Sequence, residues 1–485
     1  MKTTFFLSLL FLTVVAPSAI AQNYGISDLD HNQILTTSYP VALPDRGFAV
    51  GGGQRPIDTW TQPVWWDDLG SHLLPVLSGH EGGVATDGNS QGFMVGQSED
   101  VQTGHIIIIQ THPVVWDQGQ ATALSDWVTG GDPLELKTAT AVNEAGQILG
   151  SGWDPQLLRN RPYLFEGGIV HALPALAGGT GNAIGVALAE NGEVVGWSEV
   201  SGGFRHAVHW LANGQLTDLH DPGVLLGRTS RAQDVNECGQ ICGSGDFIGD
   251  LIDWETAVVW DRGVIKSLGT LGGQESWAFG INDFGHVVGG GTNAVHQNVA
   301  FLWTGQGPMQ DLNDLIPPGS GWWLLDAQDI DNQGRIVGVG SFLNAFRAYL
   351  LEPDGSGGYQ VYGYGCAGSG GFTPELWGNG FPAPGQAAEL QLILGLGGSR
   401  GRLLAGRGTG VLSIAPGCDL QILPLASPFV DFDLQGQGAG MGWQSLTVDL
   451  PAGLPSGSYY LQALLRDSGA AGGLTVSRPL EMSLP

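Results

Sequence analysis

The chain has 485 residues, long for one ordinary domain, and holds 80 Gly, 26 Pro and 16 Trp with only 13% charged residues. Such a chain can bury a large core but is poor in helix formers, so more than one strand-rich unit is expected. A net charge of −28 and only three lysines (Lys2, Lys137, Lys266) mean that a polyphosphate or an anionic membrane surface would be repelled, which sets nucleic-acid binding aside.

The first element is a leader. Lys2 supplies a positive end, Phe5 to Val15 is mostly apolar yet too short to span a bilayer, and Ala19-Ile20-Ala21 offers small residues for cleavage before Gln22. No later run reaches transmembrane length. The mature chain is expected to be secreted, periplasmic or held at the cell surface, where disulfides form.

Next comes a string that recurs. Gly-x-hydrophobic-hydrophobic-Gly stands at 47–51, 92–96, 146–150, 192–196, 239–243, 285–289 and 334–338, so the first glycines are 45, 54, 46, 47, 46 and 49 residues apart. A fixed period of this size marks a solenoid, propeller or array. Seven residues before the first glycine stands Ala or Gly (Ala85, Ala139, Gly185, Ala232, Ala278, Ala327), and three before it Asn or Asp (Asn89, Asn143, Asn236, Asn282, Asp331). An aromatic-ended apolar run follows, as in PVWW (63–66), AVHW (207–210) and AFLW (300–303), and then one more short strand.

Each unit therefore reads as four short strands between turns. The Asn or Asp fits an Asx turn, the first Gly supplies a positive φ, and the second Gly marks a place where a neighbouring backbone or a bulge would crowd a side chain. Seven units of four strands predict a seven-bladed β-propeller over residues 22–357, since radial repetition protects sheet edges. ISDL (26–29) is the expected closing strand of the seventh unit, with YQVY (359–362) as its competitor.

The stretch SLGTLGGQESWAFGINDFGHVVGG (267–290), with AFLW behind it, resembles the HAF family of extracellular bacterial repeats. The likeness covers roughly residues 24–352, is closest in the sixth unit, and never includes the literal His-Ala-Phe. It implies secretion and a propeller-like fold, and carries over no catalytic residue. From 358 to 485 the period stops, and alternating segments such as ELQLILGL and QSLTVDL predict a small β-sandwich. LQALLRDSGAAGGLTVSRPLEM (461–482) resembles a domain appended to secreted bacterial repeat proteins. Cys366 and Cys418, 52 residues apart, are expected to pair, with a stabilisation of about 4 kcal/mol. Cys242 takes a core position and Cys238 a turn position.

Function is sought where a unit departs from its siblings. The loop 244–256 carries Asp246, Asp250, Asp253 and Glu255, which could offer oxygens to calcium, although the plainer reading is a solvated loop. The insertion 96–112 carries His105 and His112 without a spaced third partner. Trp153, Trp197, Trp277, Trp322 and Trp323 occur in single units and offer flat faces to sugars, against the plainer reading of packing between blades. No serine-hydrolase, zinc-protease, sialidase or phosphate-loop motif occurs. The expected function is that of an exported, monomeric, non-enzymatic binding or scaffold module for a glycan or cell-surface protein, without a cofactor other than calcium. The alternative is a propeller hydrolase or lyase acting on polysaccharide.

Overall fold

The computed structural model describes residues 24–484 apart from 45–47, 90, 103–107, 226–227, 248–253, 306, 344, 354–357, 362–363, 372, 380–381, 424 and 437. The expected leader lies outside these residues. The chain is all-β. Among the described residues, 24–353 form seven antiparallel four-stranded sheets, one of which gains a short fifth, parallel strand. The first sheet runs through Thr37–Ala42, Ala49–Gln54, Gln62–Asp67 and Gly70–Leu73. The next five repeat this order. The seventh takes Trp322–Ile330, Ile336–Phe342 and Ala345–Pro353 from its own unit, and its fourth strand, Tyr24–Asp28, from the N-terminal end.

Local chemistry explains the repeated shape. At the six described first glycines φ lies between 73° and 84°, a left-handed conformation that a side chain would strain. Beside them the predicted Asx turns form: in the sixth unit Phe284 N–H and His286 N–H both donate to Asn282 Oδ1. The second glycine has a different task. In the innermost strand of all seven sheets a β-bulge follows the small upstream residue or its counterpart Pro40. The bulge pushes a backbone carbonyl toward the second strand. A Cβ on Gly289 would overlap the carbonyl of Trp277, and the same clash recurs at Gly51, Gly96, Gly150, Gly196, Gly243 and Gly338.

The aromatic-ended strands fill the wedges between sheets. Trp66, Trp116 and Trp210 are almost wholly buried, and their indole N–H groups donate to Ser71 Oγ, the Pro75 carbonyl and the Pro174 carbonyl. Tyr163 and Tyr349 are equally buried and donate to the carbonyls of Thr138 and Asp326 beside the bulge.

The first strands of successive sheets adjoin one another, and that of the seventh adjoins that of the first. The closing contacts copy the internal ones. Ala348 N–H donates to Ser38 Oγ across the closure, as Ala207 does to Ser230 and Ala257 to Ser276 elsewhere. Val337 and Ala348 share a core with Ala49, Val64 and Trp66. The arrangement is propeller-like, and Tyr24–Asp28 closes it by pairing with Tyr349–Pro353. The competitor segment does not. Gly358–Val361 pairs instead with Leu480–Leu484 in the C-terminal part.

That part holds a larger sheet containing Arg400–Gly406 and Gly457–Arg466, and a three-stranded sheet of Glu375–Asn379, Ala387–Gly397 and Gly438–Asp449. Leu390, Leu392 and Leu446 from one share a core with Leu403, Leu461 and Leu480 from the other. Phe284 of the sixth unit joins this core and lies 6.0 Å from the Tyr359 ring, so the two parts are packed together. Cys366 and Cys418 form the expected disulfide, which pins the hairpin Thr409–Ala415 and Cys418–Ile422.

Candidate functional site

Among the described residues, two of the places that bring polar side chains together stand out, and neither contains a predicted site residue, although one end of the ring is the expected ligand face. The first is the mouth of the ring on the side of the Asx turns, a cavity of about 300 Å³ lined from every sheet. The turns are tied to one another around it. Asn89, Asn143, Asn236 and Asn282 each donate a side-chain N–H to the carbonyl at the same place in the next unit. One residue on, Glu190, Glu237, Asp283 and Asn332 each accept the backbone N–H of the preceding unit's turn.

Below this belt lie three aspartates, each five residues before a first glycine: Asp87, Asp234 and Asp329. The other units have Ala42, Ala141, Ala187 and Gly280 there. Each carboxylate spans two sheets. It accepts the N–H of its own successor (Gly88, Val235, Ile330) and, at 2.7–2.9 Å, the N–H of Val142, Ile281 or Leu43 in the next sheet. Enclosure by protein pushes the Asp87 carboxyl up to about 7, with Asp329 and Glu190 repelling the charge further. Asp234 is raised well above the usual carboxylate range, by burial first and then by Asp329. Asp87 can therefore hold or release a proton near neutral pH.

A pH dependence follows. The folded-state pKa of Asp87 lies above that of an unfolded aspartate, about 3.9. Between the two values the folded chain holds a proton that the unfolded chain has lost, so stability is greatest below this window and falls as pH rises through 7. Asp87→Asn removes the titration and keeps an acceptor for Val142. We expect thermal melting of the wild type to drop between pH 5 and pH 8, and the variant to be more stable at pH 8 by on the order of 1–3 kcal/mol. A variant less stable than wild type at pH 8 would contradict the assignment.

The second place is a cleft of about 750 Å³ between the fifth and sixth sheets and the three-stranded C-terminal sheet. On the ring side Asp261 accepts from Gln240 Nε2 at 3.2 Å, and Lys266 holds its ammonium 4.4 Å above the Trp303 ring while donating to the Gly305 carbonyl. On the other side Gln391 and Ser445, a cross-strand pair, and Thr447 face the cleft from strands whose Leu390 and Leu446 point into the core.

The predicted site residues are dispersed. Trp153, Trp197, Trp277 and the pair Trp322–Trp323 occupy four different sheets. Trp197 is covered by the Arg205 guanidinium at 4.3 Å, and Trp322 stacks on Phe342 at 4.8 Å. Trp323 is 37% exposed and donates to the Asn298 carbonyl of the neighbouring sheet. Asp246 is buried at the end of Ile241–Asp246, opposite Glu255, which binds Arg231 and Ser244. Asp250 and Asp253 lie outside the described residues, as does His105. His112 meets the His80 ring at 4.9 Å, and burial and His80 pull its pKa down. Among the described residues no group of three or more His, Cys, Asp or Glu side chains is placed to hold a metal. Cys238 and Cys242 form no disulfide, and Cys242 is buried as expected. Residues 329–334 form an Asx turn, in which Asp331 Oδ1 accepts from Gln333 and Arg335.

No protein-family model matches the chain. No curated protein matches it either. Among solved structures it is similar to TolB from Acinetobacter baumannii (13% identity, 60% of this chain and 76% of that one, TM-score 0.33). It is also similar to the β-propeller domain of a trilobed protease from Pyrococcus furiosus (9%, 63% and 87%, 0.38). A third is PorZ, a surface component of the type-IX secretion system of Porphyromonas gingivalis (10%, 92% and 70%, 0.33). Likeness at this level establishes no relationship. No described helix is long and apolar enough to cross a membrane.

Proposed function

We propose that this is an exported seven-bladed β-propeller of HAF-like repeats (22–357) with a C-terminal β-sandwich domain (358–485), serving as a binding or surface-scaffold module that performs no chemistry. The cleft between the two parts carries this reading. It combines side-chain amides, hydroxyls, an ammonium and apolar edges, the mixture by which small polar ligands are held, in a volume typical of ligand sites. The disulfide Cys366–Cys418 supports an oxidising compartment. Trp323, the exposed member of the five tryptophans, is a secondary contact on the opposite face of the ring.

The second reading, a polysaccharide hydrolase or lyase, is favoured by one observation: Asp87 keeps its proton near neutral pH beside other carboxylates, the condition for a general acid. Against it, each axial carboxylate already binds two backbone N–H groups, one from a neighbouring sheet.

Screening the mature protein on neutral and acidic glycans and on immobilised surface proteins, with a parallel assay for reducing ends and unsaturated products, separates the two. Binding without turnover is the expected result. Turnover by wild type that Asp87→Asn abolishes would move the protein to the enzyme reading, and absence of any binding would overturn the module.

A further inference from the structure

We propose that the cleft between the fifth and sixth sheets and the C-terminal three-stranded sheet is a binding site for a short carboxylated saccharide, a uronic acid oligomer being the simplest representative. This rests on the reading of the protein as a binding module and names its ligand class.

Four observations converge on that chemistry. The first is charge. In a chain of 46 acidic and 18 basic residues, this cleft is lined by two cations, Arg262 and Lys266, and one acid, Asp261. Asp261 already accepts from Gln240 and lies 3.7 Å from Arg262, so its charge is engaged within its own wall. The second is the state of Lys266. Among the described residues no carboxylate lies within ion-pair distance of it; its ammonium is held by the Trp303 face and one carbonyl. Lys266 is exposed to solvent, and the partial desolvation of its ammonium against Trp303 pulls its pKa down. A ligand carboxylate placed there would form an ion pair with that ammonium.

The third observation is the facing wall. Gln391, Ser445 and Thr447 stand on the outer face of a paired sheet, so they present an amide and two hydroxyls, the complements of sugar hydroxyls. The fourth is Val264, 65% exposed at the ring-side lip of the cleft, where the C–H face of a pyranose can rest.

The test is titration calorimetry on the full mature chain with three probes: an α-1,4-linked galacturonic acid trimer, its neutral galactose counterpart and a tri-glutamate peptide. We expect the acidic trimer to bind at least tenfold more tightly than either of the others. Lys266→Met should weaken it at least tenfold, and Lys137→Met, a lysine remote from the cleft, should leave it unchanged. Gln391→Glu, which places a carboxylate on the C-terminal wall without touching the ring, should weaken it equally and serves if Lys266→Met folds poorly. Equal binding of the neutral trimer, equal binding of tri-glutamate, or indifference to both cleft variants would overturn the proposal. If neutral glycans bind and carboxylated ones do not, the module reading stands while this assignment falls.

Discussion

Deleting residues 24–32 should remove cooperative unfolding of the ring, or lower its melting temperature by about 10–20 °C. The strand Tyr24–Asp28 is the whole outer edge of the seventh sheet, paired with Tyr349–Pro353. It also reaches sideways, since Tyr24 N–H donates to the Leu315 carbonyl and the Tyr24 ring is fully buried among residues of the sixth and seventh sheets. Just beyond it, Asp30 accepts from Leu35 N–H and Ser71 Oγ and pairs with Arg347 at 3.2 Å, joining the first and last units at a buried point. Loss of one fully buried tyrosine and two partly or wholly buried aliphatics, Ile26 and Leu29, costs about 5 kcal/mol or more, before the unpaired Arg347 is considered. For a domain of this size each kcal/mol moves the melting temperature by about 2–4 °C. A synthetic peptide of residues 22–36 should restore part of the loss when added in trans. An unchanged melting curve for the deletion would mean that another segment closes the ring.

The second large effect is expected from the smallest substitution. Gly289→Ala adds one methyl group where the carbonyl of Trp277 and the ring of Phe301 already stand. The carbonyl is held by the bulge between Ala278 and Gly280, and Phe301 is fully buried, so neither can withdraw cheaply. We expect a loss of about 3–5 kcal/mol, read by chemical denaturation. Gly285→Ala is the comparison. Its φ of 74° makes any side chain strained, but a Cβ there meets only the end of the Gln240 side chain, which can shift at the expense of its hydrogen bonds to Asn236 and Asp261, so about 1–2 kcal/mol is expected. If the two substitutions cost the same, the distinct roles given to the paired glycines are wrong.

Much of the ring was legible because its causes are local and recur. A turn that needs a positive φ selects glycine in every unit, and a carbonyl crowding the second strand selects it again, so the 47-residue beat is written in the chain itself. Closure by residues 26–29 was legible for the same reason: the seventh unit lacks a fourth strand and the N-terminal end has one to spare. The bulge was legible in part: the second glycine pointed to a crowding backbone or a bulge, but the register change itself, on the neighbouring strand, leaves little trace beyond a small residue. The axial aspartates did have a signal. Aligning the units on their first glycines puts Asp87, Asp234 and Asp329 at one position where the siblings carry Ala or Gly. The tryptophans drew attention instead because their faces suit sugars, whereas Trp197 and Trp322 spend theirs on Arg205 and Phe342. The cleft had no signal at all. It joins residues near 240–305 to residues near 390–447, walls brought together by the packing of Phe284 and Cys238 against the C-terminal core.

The pairing of Asp28 with Tyr349 also sets the order in which the molecule can be made. Residues 24–28 find their partner strand more than three hundred residues further along the chain. A folding chain can zip up each four-stranded sector locally, yet it carries one unsatisfied edge and one orphan ribbon until residues 345–353 are in place. The last step is therefore a long-range clasp, slow by the logic of chain topology. A form in which residues 345–353 have not yet paired is an open arc with exposed ends, a natural substrate for holdases and proteases.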